Sequence, residues 1–144
     1  MTLSPLLGPV VALVAWTLVM LVWMAISRGA AAKKAGIQLG ASRGGRGQDL
    51  EGKVDAEAQW KAHNYAHLME QPTIFYAIVF ALILMGMDVQ INVWLAWAYV
   101  GLRIVHSIVQ ATVNIVKYRF ALFALSTFCL VGLTVHAAMR LMHG

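Results

Sequence analysis

Three ionisable side chains stand just before an uncharged stretch of the sequence. In HNYAHLMEQP, the residues His63, His67 and Glu70 precede TIFYAIVFALILMGM, which carries no charge. Their spacing of i, i+4 and i+7 places all three on one face of a helix. Imidazole and carboxylate groups at this spacing could bind a charged ligand, transfer a proton or hold a metal ion.

A second polar set follows in the next apolar stretch. An ionisable group at the centre of a bilayer costs about 2.5 to 3.5 kcal/mol on insertion scales, so it normally faces the protein interior and has a partner. Both sets are therefore expected to face inward. The second set recurs at short helical intervals and predicts a polar stripe on one helix: Arg103, His106, Ser107, Gln110, Asn114 and Lys117.

The two sets are predicted to lie at similar depths. With a rise of about 1.5 Å per residue, Glu70 lies about 14 Å along its helix from Lys61, and His106 lies about 16 Å from Lys117. The stripes can therefore meet in a polar cavity that opens at one membrane surface. We expect Glu70 to pair with Arg103 or His106, either within one chain or across a subunit boundary.

Each of these groups also has a structural interpretation. Ser107, Gln110 or His106 could join helices through hydrogen bonds worth about 0.6 to 2 kcal/mol each. A pair of Glu70 with Arg103 could specify assembly without chemistry. No metal site is predicted, because the sequence offers no matching second carboxylate on another span.

The elements that position these residues are predicted to be membrane helices. The chain has 144 residues, of which 60% are hydrophobic and 12% charged, which is too apolar for an ordinary soluble domain. A spanning helix needs about 20 mostly apolar residues. Four segments qualify within a single domain covering 1–144, and the fold class is all-α: residues 5–27, 60–87, 90–116 and 119–141.

The segment 28–59 is predicted to be a solvated loop rich in glycine, alanine and charge. Seven of the eleven Lys and Arg residues lie between Arg28 and Lys61, and Lys117 and Arg119 mark the other basic connection. By the positive-inside rule, both connections are cytosolic and both termini lie outside the cytosol. Anionic lipid headgroups account for the +5 net charge, so no nucleic-acid partner is predicted.

Two motifs resemble those of the MAPEG family, the membrane-associated proteins in eicosanoid and glutathione metabolism. HNYAHLMEQPTIFYA is similar to the second-helix signature of Arg, Asn and Glu followed by Pro and an aromatic residue. GLRIVHSIVQATVNIVKYRFALF resembles the third-helix pattern R-x-x-H-S/T, which is followed by an arginine after a short turn. His63 and His67 occupy the family's arginine and asparagine positions, and Gln110 replaces a tyrosine.

The resemblance implies an integral membrane four-helix bundle that assembles as a homotrimer and binds glutathione between subunits near the cytosolic face. Arg119 matches the arginine that stabilises the glutathione thiolate. A cation lowers the pKa of a neighbouring thiol, and arginine keeps its charge at any relevant pH. The departures from the family pattern resemble its divergent bacterial branch, which implies a multi-pass protein of the bacterial inner membrane.

Two functions follow from this resemblance. The first is a glutathione-dependent transferase or peroxidase that acts on lipophilic electrophiles, with glutathione as co-substrate and Arg119 as the catalytic residue. The second is a non-catalytic membrane trimer that binds a lipid or small anion in the same pocket. In either case the binding residues are expected to be His63, His67, Glu70, Arg103, His106, Gln110 and Asn114.

Overall fold

Five α-helices build four candidate membrane spans. The computed structural model describes residues 2–41 and 43–144. Within these residues the spans are Leu7–Lys34, Ala56–Leu84, Gln90–Ala111 and Val116–His143, each long and apolar enough to cross a bilayer. The helices are α1 (Leu7–Lys34), α2 (Ala56–Leu68), α3 (Gln71–Leu84), α4 (Gln90–Ala111) and α5 (Val116–His143). The all-α class and the number of spans are as predicted.

The first helix continues past residue 27 to Lys34, because GAAAKK is rich in the residues with the highest helix propensity. It stops at Gly36, whose φ of 72° is open to glycine at little cost. Gly86, with a φ of 67°, ends α3 in the same way. In both cases the amide after the glycine donates to a carbonyl in the helix's last turn at 2.9 Å.

The second span is interrupted at Met69 and Glu70, where the sequence predicts one continuous helix. Pro72 lies in the first turn of α3. A proline has no N–H to donate to the carbonyl of Leu68, and its ring crowds that carbonyl. The helix therefore ends at Leu68 and restarts at Gln71. This break changes the direction of the chain beside Glu70.

The third span ends earlier and the fourth begins earlier than predicted. The last residue of α4 is Ala111, and α5 begins at Val116. Asn114, in the turn between them, has a φ of 54°. Asparagine tolerates this left-handed conformation better than most other residues. Asn114 and Lys117 consequently do not continue the polar stripe of α4.

Helix α4, which forms the third span, lies at the centre of the bundle. It packs against α1, α2 and α5, while α3 packs against α5. Leu13, Phe75, Tyr99 and Leu133 are completely buried in the core. Large apolar side chains also cover the outside of the bundle, which is the arrangement expected of a protein whose solvent is lipid: Val11, Leu18, Val22, Ile26, Phe80, Phe120 and Phe128.

The connection between α1 and α2 is packed against the helices rather than solvated throughout. It contains a 3-10 turn, Gly47–Leu50. The Leu50 side chain is buried, and Gln59 of α2 donates to the Gly47 carbonyl at 3.4 Å. A single apolar residue in a polar loop is enough to anchor it. We call the end of the bundle that carries this loop and the turn 112–115 the loop end.

Candidate functional site

A polar cleft opens at the loop end between α2, α4 and α5. Its volume is about 200 Å³. It unites six of the residues that the sequence singled out, although they come from three separate helices and the break after α2: His63, His67, Glu70, His106, Gln110 and Arg119. We refer to this feature as the polar cleft.

His67 occupies the middle of a hydrogen-bonded row. Arg103 Nη1 lies 3.3 Å from His67 Nε2. An arginine can only donate, so Nε2 accepts and the ring proton sits on Nδ1. His67 Nδ1 then donates to Glu70 Oε2 at 3.3 Å. The row Arg103, His67, Glu70 therefore fixes both the orientation and the neutral tautomer of His67.

This row replaces the expected pair of Glu70 with Arg103 or His106 within the chain. Among the described residues, Glu70 contacts neither Arg103 nor His106; it accepts the hydrogen bond of the neutral His67 ring, and its side chain is 71% exposed. Arg103, by contrast, is completely buried. The break before Pro72 turns Glu70 outward to the rim of the cleft, which leaves the imidazole between the two charges.

Arg103 is a buried cation without a carboxylate partner among the described residues. Its Nε and Nη2 atoms are buried and have no hydrogen-bond partner there. The guanidinium lies 5.9 Å from the centre of the Phe123 ring, which provides a cation–π contact. An uncompensated buried charge is costly. Arg103 does not line the polar cleft but lies directly behind His67, which does, so its charge favours an anion in the cleft.

Arg119 extends this positive character to the wall of the cleft. It lies in the first turn of α5, and its Nε atom is buried without a hydrogen-bond partner in the described residues. The side-chain oxygen of Gln110, which lines the same cleft, is also buried and unpaired. Arg119 and Gln110 therefore border, with a donor and an acceptor side chain, a space that another molecule could occupy.

Aromatic rings make the remaining walls. The His67 ring lies 5.0 Å from the His106 ring and 5.6 Å from the Phe123 ring, measured between centroids. His106 is almost fully buried. Phe123, which the sequence analysis did not single out, contacts both His67 and Arg103 from α5. Its position one turn beyond Arg119 is the signal that could have identified it.

The polar cleft is braced by a pair that sequence reasoning did not assign. Asn64 of α2 donates to the Ser107 hydroxyl of α4 at 2.7 Å, and the Ser107 hydroxyl is 3.0 Å from the Asn64 side-chain oxygen. Both residues are completely buried. Paired amide and hydroxyl groups between membrane helices hold the helices in register. Ser107 thus joins helices, as one interpretation of the stripe allowed.

Three predicted residues are placed differently from the others. Arg103 does not line the cleft, but it contacts His67 from behind. His63 lines the cleft at its rim, but its Nε2 atom contacts the Glu51 carboxylate of the loop. Asn114 is not among the residues lining the cleft; its side-chain oxygen is buried and unpaired in the turn after α4. Among the described residues, no group of three or more His, Cys, Asp and Glu side chains is placed to hold a metal ion.

The arrangement favours an anionic ligand. Arg119 lines the cleft and the buried Arg103 lies behind His67, whereas the carboxylate that lines the cleft, Glu70, is exposed. A comparison with protein families matches the MAPEG family over residues 6–139. The chain belongs to the MAPEG family. No curated protein and no solved structure matches it.

Membership of the MAPEG family confirms the resemblance inferred from the second- and third-helix motifs. It also confirms an all-α, four-helix membrane bundle, since the matched residues include the first three spans and most of the fourth. The family includes glutathione-dependent enzymes. The polar cleft lies where this MAPEG protein brings its two motifs together, so it is the candidate site for ligand binding.

Proposed function

We propose that this MAPEG protein is a glutathione-dependent transferase or peroxidase that acts on lipophilic electrophiles. The observation that carries the proposal is the position of Arg119. It lines the same cleft as His67, Glu70, His106 and Gln110, and its Nε atom has no hydrogen-bond partner in the described residues. An arginine of this kind offers charge-assisted hydrogen bonds to an anion.

In the proposed reaction, Arg119 stabilises the glutathione thiolate. The thiol proton passes to solvent through the open mouth of the cleft, and the sulfur attacks the electrophilic carbon of the second substrate while the leaving group departs. With a hydroperoxide, the sulfur would attack the terminal oxygen instead, and the O–O bond would break with release of the alcohol. A second glutathione would then react with the resulting sulfenic acid to give glutathione disulfide and water. In both cases the thiolate is the nucleophile, so lowering the thiol pKa is the central contribution of the protein.

Glutathione's carboxylates and amides would bind to the rest of the polar cleft. Arg103 would act through its positive charge behind His67, and His67, held by Arg103 and Glu70, presents a fixed imidazole. The amide of Gln110 and the carboxylate of Glu70 suit the peptide groups and the amino group. The apolar outer surface of the bundle lets lipophilic substrates reach the site from the bilayer.

We also propose that the site is completed in a homotrimer. The polar cleft of about 200 Å³ is smaller than the roughly 300 to 1,000 Å³ of typical small-molecule sites. A neighbouring subunit would close the open side. The basic residues concentrated at the loop end support a cytosolic location for this end under the positive-inside rule. That location would put the site in contact with a soluble co-substrate and both termini on the other side.

The conjugation rate tests the proposal. In detergent, with glutathione and 1-chloro-2,4-dinitrobenzene or cumene hydroperoxide, Arg119→Ala should lower kcat about 100-fold, as expected for loss of one preorganised cationic donor. Arg140→Ala is a matched control, because it removes an exposed arginine from the other end of the same helix. Equal rates for wild type and Arg119→Ala would remove the proposed role of Arg119.

One observation favours a second candidate, a non-catalytic trimer that binds a lipid or small anion in the polar cleft. His63 and His67 stand at ligand positions of the family, yet they contact Glu51 in one case and Arg103 with Glu70 in the other. Failure to detect glutathione binding at millimolar concentration, together with binding of a small anion, would support this alternative.

A further inference from the structure

A second cleft lies under the loop that joins α1 and α2. Its volume is about 400 Å³. Three cationic side chains line it: Arg28 from the end of the apolar part of α1, and Arg46 and Lys53 from the loop. It shares no lining residue with the polar cleft. We refer to it as the loop cleft.

The cations of the loop cleft are not neutralised within the described part of the chain. None of Arg28, Arg46 and Lys53 forms a salt bridge there. The neighbouring Lys34, in contrast, pairs with Asp55 at 2.9 Å. The one carboxylate that lines the loop cleft, Asp49, accepts a hydrogen bond from the Arg46 backbone N–H at 2.7 Å.

The Arg28 guanidinium packs closely against the loop backbone at Gly47. A Cβ atom at Gly47 would lie 2.1 Å from Arg28 Nη1, so a larger residue there would displace the guanidinium. The Nε atom of Arg28 is buried and has no hydrogen-bond partner among the described residues. A buried charge without a partner is costly, and an anion in the loop cleft would compensate it.

The other walls of the loop cleft are apolar, with Ile37, Leu39 and Leu50 facing the same space. Arginine pairs well with phosphate because its planar donors match two phosphate oxygens. We propose that the loop cleft binds a phosphate-bearing anion through Arg28, Arg46 and Lys53. The phosphate belongs either to a phospholipid headgroup, whose glycerol would contact the apolar wall, or to a free phosphate compound.

Direct titration tests this proposal. Purified protein in a zwitterionic detergent is titrated with inorganic phosphate at constant ionic strength, and in parallel with phosphatidylglycerol in phosphatidylcholine bicelles, with thermal unfolding and native mass spectrometry as readouts. The variant Arg46→Gln/Lys53→Gln removes two cations of the loop cleft. Lys33→Gln is the matched control, since Lys33 is exposed, lies at the same membrane surface and does not line the cleft.

We expect saturable binding in at least one arm, weakened at least tenfold by Arg46→Gln/Lys53→Gln and less than twofold by Lys33→Gln. Binding of phosphatidylglycerol alone assigns the phosphate to a lipid, and binding of inorganic phosphate assigns it to a free compound. Gly47→Ala, which keeps every charge but displaces the Arg28 guanidinium, should weaken binding severalfold. Absence of saturable binding in both arms, or equal weakening by Lys33→Gln and the double variant, would overturn the proposal.

Discussion

Buried polar groups are hydrogen-bonded at one end of the bundle, whereas several of them have no partner at the other end. At the end opposite the loop, Asn92 is completely buried, donates to the Met87 carbonyl at 2.9 Å and accepts from His136 Nδ1 at 2.5 Å. At the loop end, buried polar atoms without a partner accumulate among the described residues: Arg28 Nε, Gln59 Oε1, Arg103 Nε and Nη2, Gln110 Oε1, Asn114 Oδ1 and Arg119 Nε.

The middle of the bundle resembles the opposite end. Tyr99 donates to Gln71 at 3.1 Å, and Gln71 donates to the Thr127 hydroxyl at 2.9 Å. Trp16 is the exception in this part, since its indole N–H has no partner among the described residues. Lipid offers no hydrogen bonds, so a protein surrounded by it satisfies its polar groups internally. Unpaired groups concentrated at one end therefore indicate a ligand site, whereas paired groups indicate helix packing.

The largest difference between the effect on glutathione binding and the effect on stability is expected from Arg103→Met. If the loop end is organised for a ligand, removing the buried cation should weaken glutathione binding at least tenfold. Stability should be retained or increased, because replacing a poorly compensated buried charge by an apolar side chain of similar length is often neutral or stabilising. Calorimetry and unfolding in detergent measure the two effects. A large loss of stability would show that Arg103 is a structural residue.

Asn92→Ala is expected to lower stability and leave ligand binding intact. Its two hydrogen bonds join the α3–α4 turn to α5, so their loss should lower the free energy of unfolding by about 1 to 2 kcal/mol, within the range for membrane proteins. Glutathione binding should not change. A double-mutant cycle with His136→Ala should give a coupling free energy of about 0.6 to 1.7 kcal/mol; additive effects would contradict the assigned contact.

A smaller effect is expected from Gly86→Ala at the turn after α3. Gly86 has a φ of 67°, in the left-handed region. An alanine held in this conformation should lower the free energy of unfolding by about 1 kcal/mol. Space is not limiting, because no atom lies within 4 Å of the added carbon. Gly29→Ala is the control, since Gly29 lies within α1 with similar open space and no positive φ. A loss of stability in the control instead would count against this account of the turn.

The smallest effect is expected from Glu70→Gln. The side chain is 71% exposed, and the amide oxygen can still accept from His67 Nδ1. The free energy of unfolding should change by less than about 0.5 kcal/mol. A loss of several kcal/mol would instead support a direct pair of Glu70 with Arg103, formed across a subunit boundary.

Much of this architecture could be read from the sequence. Apolar length predicts the four spans, and the spacing of His63, His67 and Glu70 predicts their shared face. The interruption before Pro72 follows from the missing N–H of proline and was also readable, but the apolar run beyond it suggested a continuous helix. The end of α4 was harder, because Asn114 is a weaker signal than glycine for a left-handed residue.

The contacts within the site were beyond reach of sequence patterns. Periodicity brings Arg103, His67 and Glu70 to one region, but it does not determine which two are adjacent. That depends on the turn of the chain at Met69 and Glu70 and on side-chain packing against Phe123. The docking of the loop was equally hard to predict, because the buried residue Leu50 stands in a segment whose composition is typical of solvated loops.

The central claim is that the polar cleft, whose lining residues Gln110 and Arg119 carry unpaired polar atoms in the described part of the chain, is a glutathione site. Isothermal titration calorimetry of the purified protein with glutathione tests it most directly. Saturable binding is predicted at or below millimolar concentration, with an affinity weakened about tenfold in Arg119→Ala, which corresponds to about 1.4 kcal/mol, and unchanged in Arg140→Ala. No saturable binding by the wild type at millimolar glutathione, or equal affinity in Arg119→Ala, would contradict it.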